Sequence, residues 1–555
     1  MTSPVNVKIS TLILFFALPA HFLSAAGTEA PTNEITAASV AEAEKLFGLQ
    51  FTPAKQDLML DGLRGQLKKY QVDRQTDLSW DVVPAIMFNP IPIGMKLETA
   101  RKKCKWSPAP KTPVPADLEQ AAFYSIGQLS ALVKSRKITS VQLTRMYLDR
   151  LKKYGPRLEC VVTLTEDLAM EQARRADREI AAGKYRGPLH GIPYGVKDLL
   201  ATKGIRTTWG AAPFKDRIID EDATVIQRLE AAGAVLVAKL TMGELAMGDV
   251  WFGGRTRNPW DVKQGSSGSS AGPASATAAG LVAFSIGSET YGSIIAPCTV
   301  CGATGLRPSY GRVSRKGAMA LSWTMDKLGP ICRTVEDCAM VFNAIQGPDG
   351  IDQTLFDVPF NYQPKVNLSK LRIGYLKDDF DREGETNSMA ALAKLRALGA
   401  NLVPITLPKF PPQITFVLRT EAAAAFDGFT REGKDDLLVQ QTDGDWPSVF
   451  RAARFIPAVE YLQAQRIRFL LIQDMARLMD DIDVYVAPSF ADENVRLTNL
   501  TGHPSVVLPD GFSKKGMPTS ICFVGKLFGE ARLLAVAKAY QDATGFHLQH
   551  PKLAD

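Results

Sequence analysis

Cysteine is sparse in this 555-residue chain: seven residues, at 104, 160, 298, 301, 332, 338 and 522, few for the length and odd in number. They do not define a disulfide scaffold, which calls for dense, evenly numbered cysteines in a short chain. Cys298 and Cys301 form a C-x-x-C, but no second such pair and no pair of histidines accompanies them. Small buried residues are therefore expected there, and a zinc site is not. His190 lacks a metal-ligand partner at suitable spacing and reads as structural. No G-x-x-x-x-G-K-[ST] sequence sets a lysine on a nucleotide phosphate. Sequence repeats are absent, and so is low complexity beyond one Gly/Ser-rich loop.

Strong charge of one sign is also lacking. The net charge of +7 comes from 65 basic against 58 acidic residues, and the densest basic run is Arg101-Lys102-Lys103-Cys104-Lys105. Such a run reads as a solvated linker, so no nucleic-acid partner is expected. With 46% hydrophobic and 22% charged residues, the composition is that of a soluble globular protein with a substantial core. The length allows several domains, and equally one large α/β unit.

Long apolar runs are confined to the start of the chain. Lys8, the mainly apolar stretch Ile9 to Leu23 and the small residues Ser24-Ala25-Ala26 have the order of a cleavable secretory signal over residues 1–26. The stretch is short for a spanning helix. An exported protein, periplasmic or secreted, with no stable membrane insertion after cleavage is the expectation.

Residues 27–119 read as a helical and Pro-rich segment. Ile35 to Gln75 carries helical spacing interrupted at Thr52-Pro53, and Pro53 suits the first turn of a second helix. Pro84 to Pro115 is proline-rich and irregular, suited to wrapping or tethering. From Ser125 helical and extended patterns alternate: an amphipathic run from Ile126 to Lys153, a strand at 160–164, a helix from Leu168 to Ala182, and a buried strand from Ile192 to Val196. The helix Thr224 to Gly233 and the strand Val235 to Leu240 follow. Leu371 to Tyr375 and Asn401 to Ile405 bracket the helix Asn387 to Leu398, and Leu462 to Met479 is a further long helix. The alternation predicts an α/β fold over 120–555.

The informative stretch is Gly265-Ser-Ser-Gly-Ser-Ser-Ala-Gly-Pro-Ala-Ser-Ala-Thr-Ala-Ala-Gly280, followed by Leu281 to Pro297 with Glu289-Thr290-Tyr291-Gly292-Ser293-Ile294. Small residues allow close backbone approach, so successive N–H groups can converge on a developing anion. Gly268-Ser-Ser-Ala-Gly272 also satisfies the G-x-S-x-G nucleophile elbow, for which His503 is an available histidine. That motif needs a buried strand immediately before the serine, and Asp261 to Ser267 has no such run.

Together with Lys197 after Gly195-Val196, Asn258-Pro259-Trp260, Cys301-Gly302 to Pro308, Gly311-Arg312-Val313-Ser314, Asp483 to Pro488 and Thr498 to Pro504, the tract resembles the amidase signature family, the Ser-cisSer-Lys amide hydrolases. The resemblance covers roughly residues 120 to 545. It implies a single large domain with a mixed β-sheet flanked by helices on both faces, and an amidase cleaving a small-molecule amide. It implies Ser293 as nucleophile, Ser269 as the cis-serine relay, and Lys197 as a base that burial keeps neutral. The backbone N–H groups of Thr290, Tyr291, Gly292 and Ser293 would form the oxyanion hole, and no metal or cofactor is required. A runner-up within the same resemblance is the amide-releasing component of tRNA-dependent amidotransferases, and a third reading is a silent binding protein of the same fold. Three residues depart from the family pattern: Tyr291 replaces a glycine, Ile295 replaces an arginine and thereby removes a cation near residue 289, and Glu289 stands where aspartate is usual.

Overall fold

The computed structural model describes residues 35–553 apart from 77, 81, 83, 109, 110 and 383–385. The signal expected over 1–26 lies outside the described residues.

The chain divides into two compact units, Met1–Asp77 and Leu78–Asp555. The first holds the helices Ala37–Phe47 and Pro53–Asp73. Thr36 caps the former through a reciprocal capping box with Ser39, and Pro53 sits in the first turn of the latter, where its missing N–H costs nothing. The buried Glu44 carboxylate ties the pair together by accepting from Gln56 Nε2 and Phe51 N, both at 3.1 Å.

In the second unit the proline-rich stretch forms no helix or strand among its described residues before Leu118. It runs along the surface of the unit: Lys105 N donates to the Tyr362 carbonyl at 3.0 Å, Lys102 N to Asn361 Oδ1 at 2.7 Å, and Ser107 N to Glu336 Oε1 at 2.7 Å. Beyond it lie the strands β1 (Val161–Leu164), β2 (Pro193–Lys197), β3 (Val235–Leu240), β4 (Val250–Trp251), β5 (Gly254–Arg255), β6 (Phe284–Glu289) and β7 (Thr304–Arg307). The series continues with β8 (Lys327–Cys332), β9 (Arg372–Leu376), β10 (Asn401–Ile405), β11 (Val484–Pro488), β12 (Ser505–Phe512) and β13 (Pro518–Gly525). β4 and β5 make a small ribbon. The other eleven form one sheet in the order β1-β3-β2-β6-β8-β7-β12-β13-β11-β9-β10. β3, β2 and β6 are mutually parallel, as are β11, β9 and β10, and the remaining pairs are antiparallel. The sheet is mixed and flanked by helices.

Alternate residues of the central strands enter different cores. Val484 and Val486 belong to one apolar cluster, and Tyr485 and Ala487 to another; Val506 and Leu508 separate from Val507 in the same way. Both faces of the sheet are therefore buried, which is why these strands are nearly continuous in apolar residues and show no polar face.

The run from Ile126 to Lys153 is two helices, Ile126–Lys134 and Ser140–Leu158. Arg136 takes a positive φ of 57° and Thr139 opens a new capping box with Gln142, so the chain turns there although its amphipathic pattern continues.

Candidate active site

The carboxyl ends of the parallel strands β2 and β6 lie side by side, an arrangement that leaves a crevice where the chain departs from the sheet. β2 delivers Lys197 as its last residue. Asp198 then turns the chain away: its N–H donates to the Leu240 carbonyl at 2.9 Å and its carboxylate lies 3.2 Å from Lys239 Nζ and accepts from Thr208 N at 2.8 Å. Both members of the Asp198–Lys239 pair are fully buried.

The serine tract crosses the same crevice as a loop, with the Gly268–Ser269 peptide in the cis form, before the helix Ala271–Ala278. Gly268 is required by close approach, since a Cβ there would lie 1.7 Å from the Gly248 carbonyl oxygen. Lys197 Nζ reaches three hydroxyls: Ser269 Oγ at 2.8 Å, Ser288 Oγ at 2.8 Å and Ser270 Oγ at 3.2 Å. Ser270 donates to the Ser288 carbonyl at 2.9 Å, so toward the lysine it can only accept. Burial pushes the Lys197 ammonium down to about 7, against the opposing pull of the Asp326 and Glu289 carboxylates.

Ser293 is held through its backbone: its carbonyl accepts from Ser270 N at 3.1 Å. Its side chain is half-buried and, among the described residues, makes no hydrogen bond. The N–H groups of Thr290, Tyr291, Gly292 and Ser293 likewise donate to no group among the described residues. Gly292 has φ +87°, the left-handed conformation that turns this loop. Four free donors beside a free hydroxyl make a concave array suited to an anion. Thr290 Oγ1 donates to Asp326 Oδ1 at 2.6 Å, which ties the array to the loop 321–326. Tyr291 Oη accepts from Arg496 Nε at 2.7 Å and lies 3.3 Å from Asp492 Oδ1.

Glu289 underlies the turn. Its Oε2 accepts from the N–H groups of Ile294 and Ile295 at 2.9 and 3.0 Å, and its Oε1 accepts from Arg307 at 2.7 Å and Asn499 Nδ2 at 2.9 Å. Burial alone would raise this carboxyl, but Arg307, Asn499 and the backbone donors override it and hold the group at about 2. Ile295 places no cation beside residue 289, and Arg307, fully buried on β7, supplies one from another strand.

Lys197 and Ser269 are thus in direct contact, while Ser293 and the Thr290-Tyr291-Gly292 array lie at the end of the adjoining strand. Ser270, Ser288, Asp326 and Arg307 are added by the structure. Ser288 sits on a strand whose alternation points it toward Lys197, a signal hidden by the small polar residues around it. Ser266 Oγ donates to the Ser267 carbonyl and does not reach Lys197. No strand leads directly into the tract, so the elbow geometry is not formed. His503 is buried beside Thr501 Oγ1 at 2.8 Å, and burial followed by the Arg307 charge lowers it to about 3. His190, also buried, lies 3.0 Å from Glu179 Oε2 and accepts from Arg186 N. Cys298 and Cys301 are buried in the helix Ile295–Cys301 with their thiols raised by burial. Among the described residues no group of His, Cys, Asp or Glu side chains is arranged to hold a metal ion.

A cleft with about 900 Å³ of empty volume, open to solvent, reaches the site through Ser288, Thr290 and Asp326. Residues 142–499 match the family described as Amidase. The glutamyl-tRNA(Gln) amidotransferase A subunit of Thermosynechococcus vestitus is 34% identical over 480 residues, covering 77% of this chain and 99% of that protein. Its counterpart in Methylococcus capsulatus is 36% identical over 480 residues, covering 77% and 98%. The native peptide amidase of Stenotrophomonas maltophilia has a similar structure, with a TM-score of 0.68 at 29% identity over 77% of this chain and 98% of that one.

Proposed function

The chain belongs to the amidase signature family, and from that premise we propose that it cleaves a carboxamide C–N bond through an ester formed on Ser293. The observation that carries this reading is the fully buried Lys197 Nζ, 2.8 Å from the Ser269 hydroxyl and surrounded otherwise by acceptors. A neutral amine has two N–H groups and one lone pair. Ser270 takes one N–H, Ser288 takes the other, and the lone pair is left for the Ser269 proton.

The Ser293 oxygen attacks the carbonyl carbon as its proton passes to Ser269 and the Ser269 proton to Lys197. The carbonyl oxygen becomes an oxyanion and receives the free N–H groups of residues 290–293, each donor of this kind being worth about 3 kcal/mol in acyl transfer. The lysine then returns its proton through Ser269 to the leaving nitrogen, the C–N bond breaks, and water hydrolyses the acyl-Ser293 ester. Because the relay ends where it began, turnover consumes no cofactor.

A second reading is favoured by the curated relatives, which are components of amidotransferases matched over nearly their whole length. In it the same first half-reaction releases ammonia to an acceptor bound by partner proteins. Ammonia release by the purified chain from a panel of primary carboxamides, glutamine among them, separates the two. Turnover by the chain alone supports the hydrolase; turnover of glutamine that requires the other amidotransferase components supports the transfer reading; no acyl-Ser293 with any amide overturns both.

A further inference from the structure

We propose that Trp80 and Met87, from the arm formed by the proline-rich segment and the few residues leading into it, ahead of the family-matched residues 142–499, are specificity-determining residues that complete the substrate cleft and select amides bearing a bulky apolar or aromatic group. The inference rests on the hydrolytic reading above and adds the substrate class.

Leu199, Met319, Leu321 and Leu328 form the apolar lining of the cleft leading up from Ser288 and Thr290, and Trp80 and Met87 face them from the arm. The charged side chains in the same wall are already paired, and the one buried polar atom there without a partner among the described residues is the Trp323 indole nitrogen. Arg315 lies 3.4 Å from Asp352 Oδ2 and donates to Thr354 Oγ1 at 2.9 Å, Lys316 lies 3.2 Å from Glu221, and the Asp326 carboxylate accepts from Leu321 N, Ser322 N and Thr290 Oγ1. A polar substituent would find these groups occupied and would lose its own hydration. An apolar one loses nothing on leaving water.

The arm is fixed on both sides of the cleft. Trp80 packs edge-on against Trp209 with ring centroids 5.9 Å apart, and the Arg217 guanidinium lies 3.6 Å above Trp209, so the ring it rests on is itself anchored. The Trp209 backbone N–H donates to the Asp198 carbonyl at 3.2 Å, which connects this wall to the residue after Lys197. Next to Met87, Phe88 stands edge-on to Tyr310 at 5.1 Å and beneath the Arg468 guanidinium at 3.6 Å. Trp80 is half-buried and Met87 is 51% exposed, which leaves each with surface to offer a ligand.

The test uses the full chain and two probes, 4-phenylbutyramide and acetamide. The ratio of kcat/KM for the first over the second is expected to fall by about tenfold or more in Trp80→Ala and again in Trp80→Ala/Met87→Ala, since a pocket contact of this size discriminates by roughly 10- to 200-fold. Trp80→Phe is expected to restore most of the ratio, and Lys103→Ala, on the same arm and away from the cleft, to keep it. Calorimetric binding of both amides to Ser293→Ala, with and without Trp80→Ala, gives the same comparison without turnover. An unchanged ratio in folded Trp80→Ala, or equal affinity of the two Ser293→Ala proteins for 4-phenylbutyramide, overturns the proposal. Selective binding of 4-phenylbutyramide with no acyl-Ser293 formed from it or from any amide of the panel would instead overturn the hydrolytic reading and leave the pocket assignment standing.

Discussion

If Lys197 accepts the Ser293 proton by way of Ser269, kcat/KM must follow the neutral fraction of one buried amine. With that group at about 7, roughly one molecule in eleven is competent at pH 6 and about ten in eleven at pH 8. Hydrolysis of a chosen amide should therefore rise about tenfold across this interval and level off above pH 8. An ordinary lysine would give a unit slope continuing to beyond pH 9. The same shift appears in folding. The folded group lies below its unfolded value, so between about 7 and 10.4 the unfolded chain binds more protons and stability rises with pH. The contribution is complete above the unfolded value and is lost as pH falls toward 7. The displacement from 10.5 to about 7 corresponds to roughly 5 kcal/mol. Denaturant unfolding of the wild type and Lys197→Met at pH 7 and pH 10 isolates this term as the difference in their pH slopes. Lys197→Arg should be inactive throughout, because a guanidinium does not give up its proton. A rate that climbs with unit slope to pH 10, or near-native turnover by the arginine variant, refutes the assignment of Lys197 as the base.

Three further outcomes are expected. Ser269→Ala should lower turnover by on the order of a hundredfold, the scale of a lost acid–base step, whereas Ser266→Ala, whose hydroxyl only reaches the neighbouring carbonyl, should change it little; kinetics on variants with native thermal melts decide this. Arg307→Met leaves Glu289 buried without its cation and should cost about 3–5 kcal/mol in denaturant unfolding. N-terminal sequencing of native material should find the mature chain beginning near Gly27 outside the cytoplasm, and retention of Met1 or Thr2 in a cytosolic pool would contradict export.

The parts legible in the sequence were those written as local pattern. Val235–Leu240 is an uninterrupted extended run and coincides with β3, Asn401–Ile405 keeps enough Leu, Val and Ile around Pro404 to mark β10, and Pro53 marks the start of its helix. β8, with Gly329 and Pro330 inside it, and the serine-containing β6 carry no comparable signal; they are strands because both neighbours in the sheet supply ladder partners. The site shows the same division. Lys197 and Ser269, in contact across 72 residues of chain, were legible only as a resemblance, since no spacing rule relates them. Arg307 as the cation for Glu289 was hidden because the pairing depends on β6 and β7 both bordering β8, a long-range fact of topology. Conversely, the cleft wall contributed by Trp80 and Met87 lies in a stretch with no periodicity at all.

The central claim is that Ser293 carries the acyl group in a relay with Ser269 and Lys197. Treatment of the full-length protein with a fluorophosphonate at pH 8, followed by peptide mass mapping, tests it most directly. The account predicts a single adduct on Ser293, absent from Ser293→Ala and slowed by on the order of a hundredfold in Ser269→Ala. An adduct on Ser269 or Ser270 with Ser293 unmodified would contradict it.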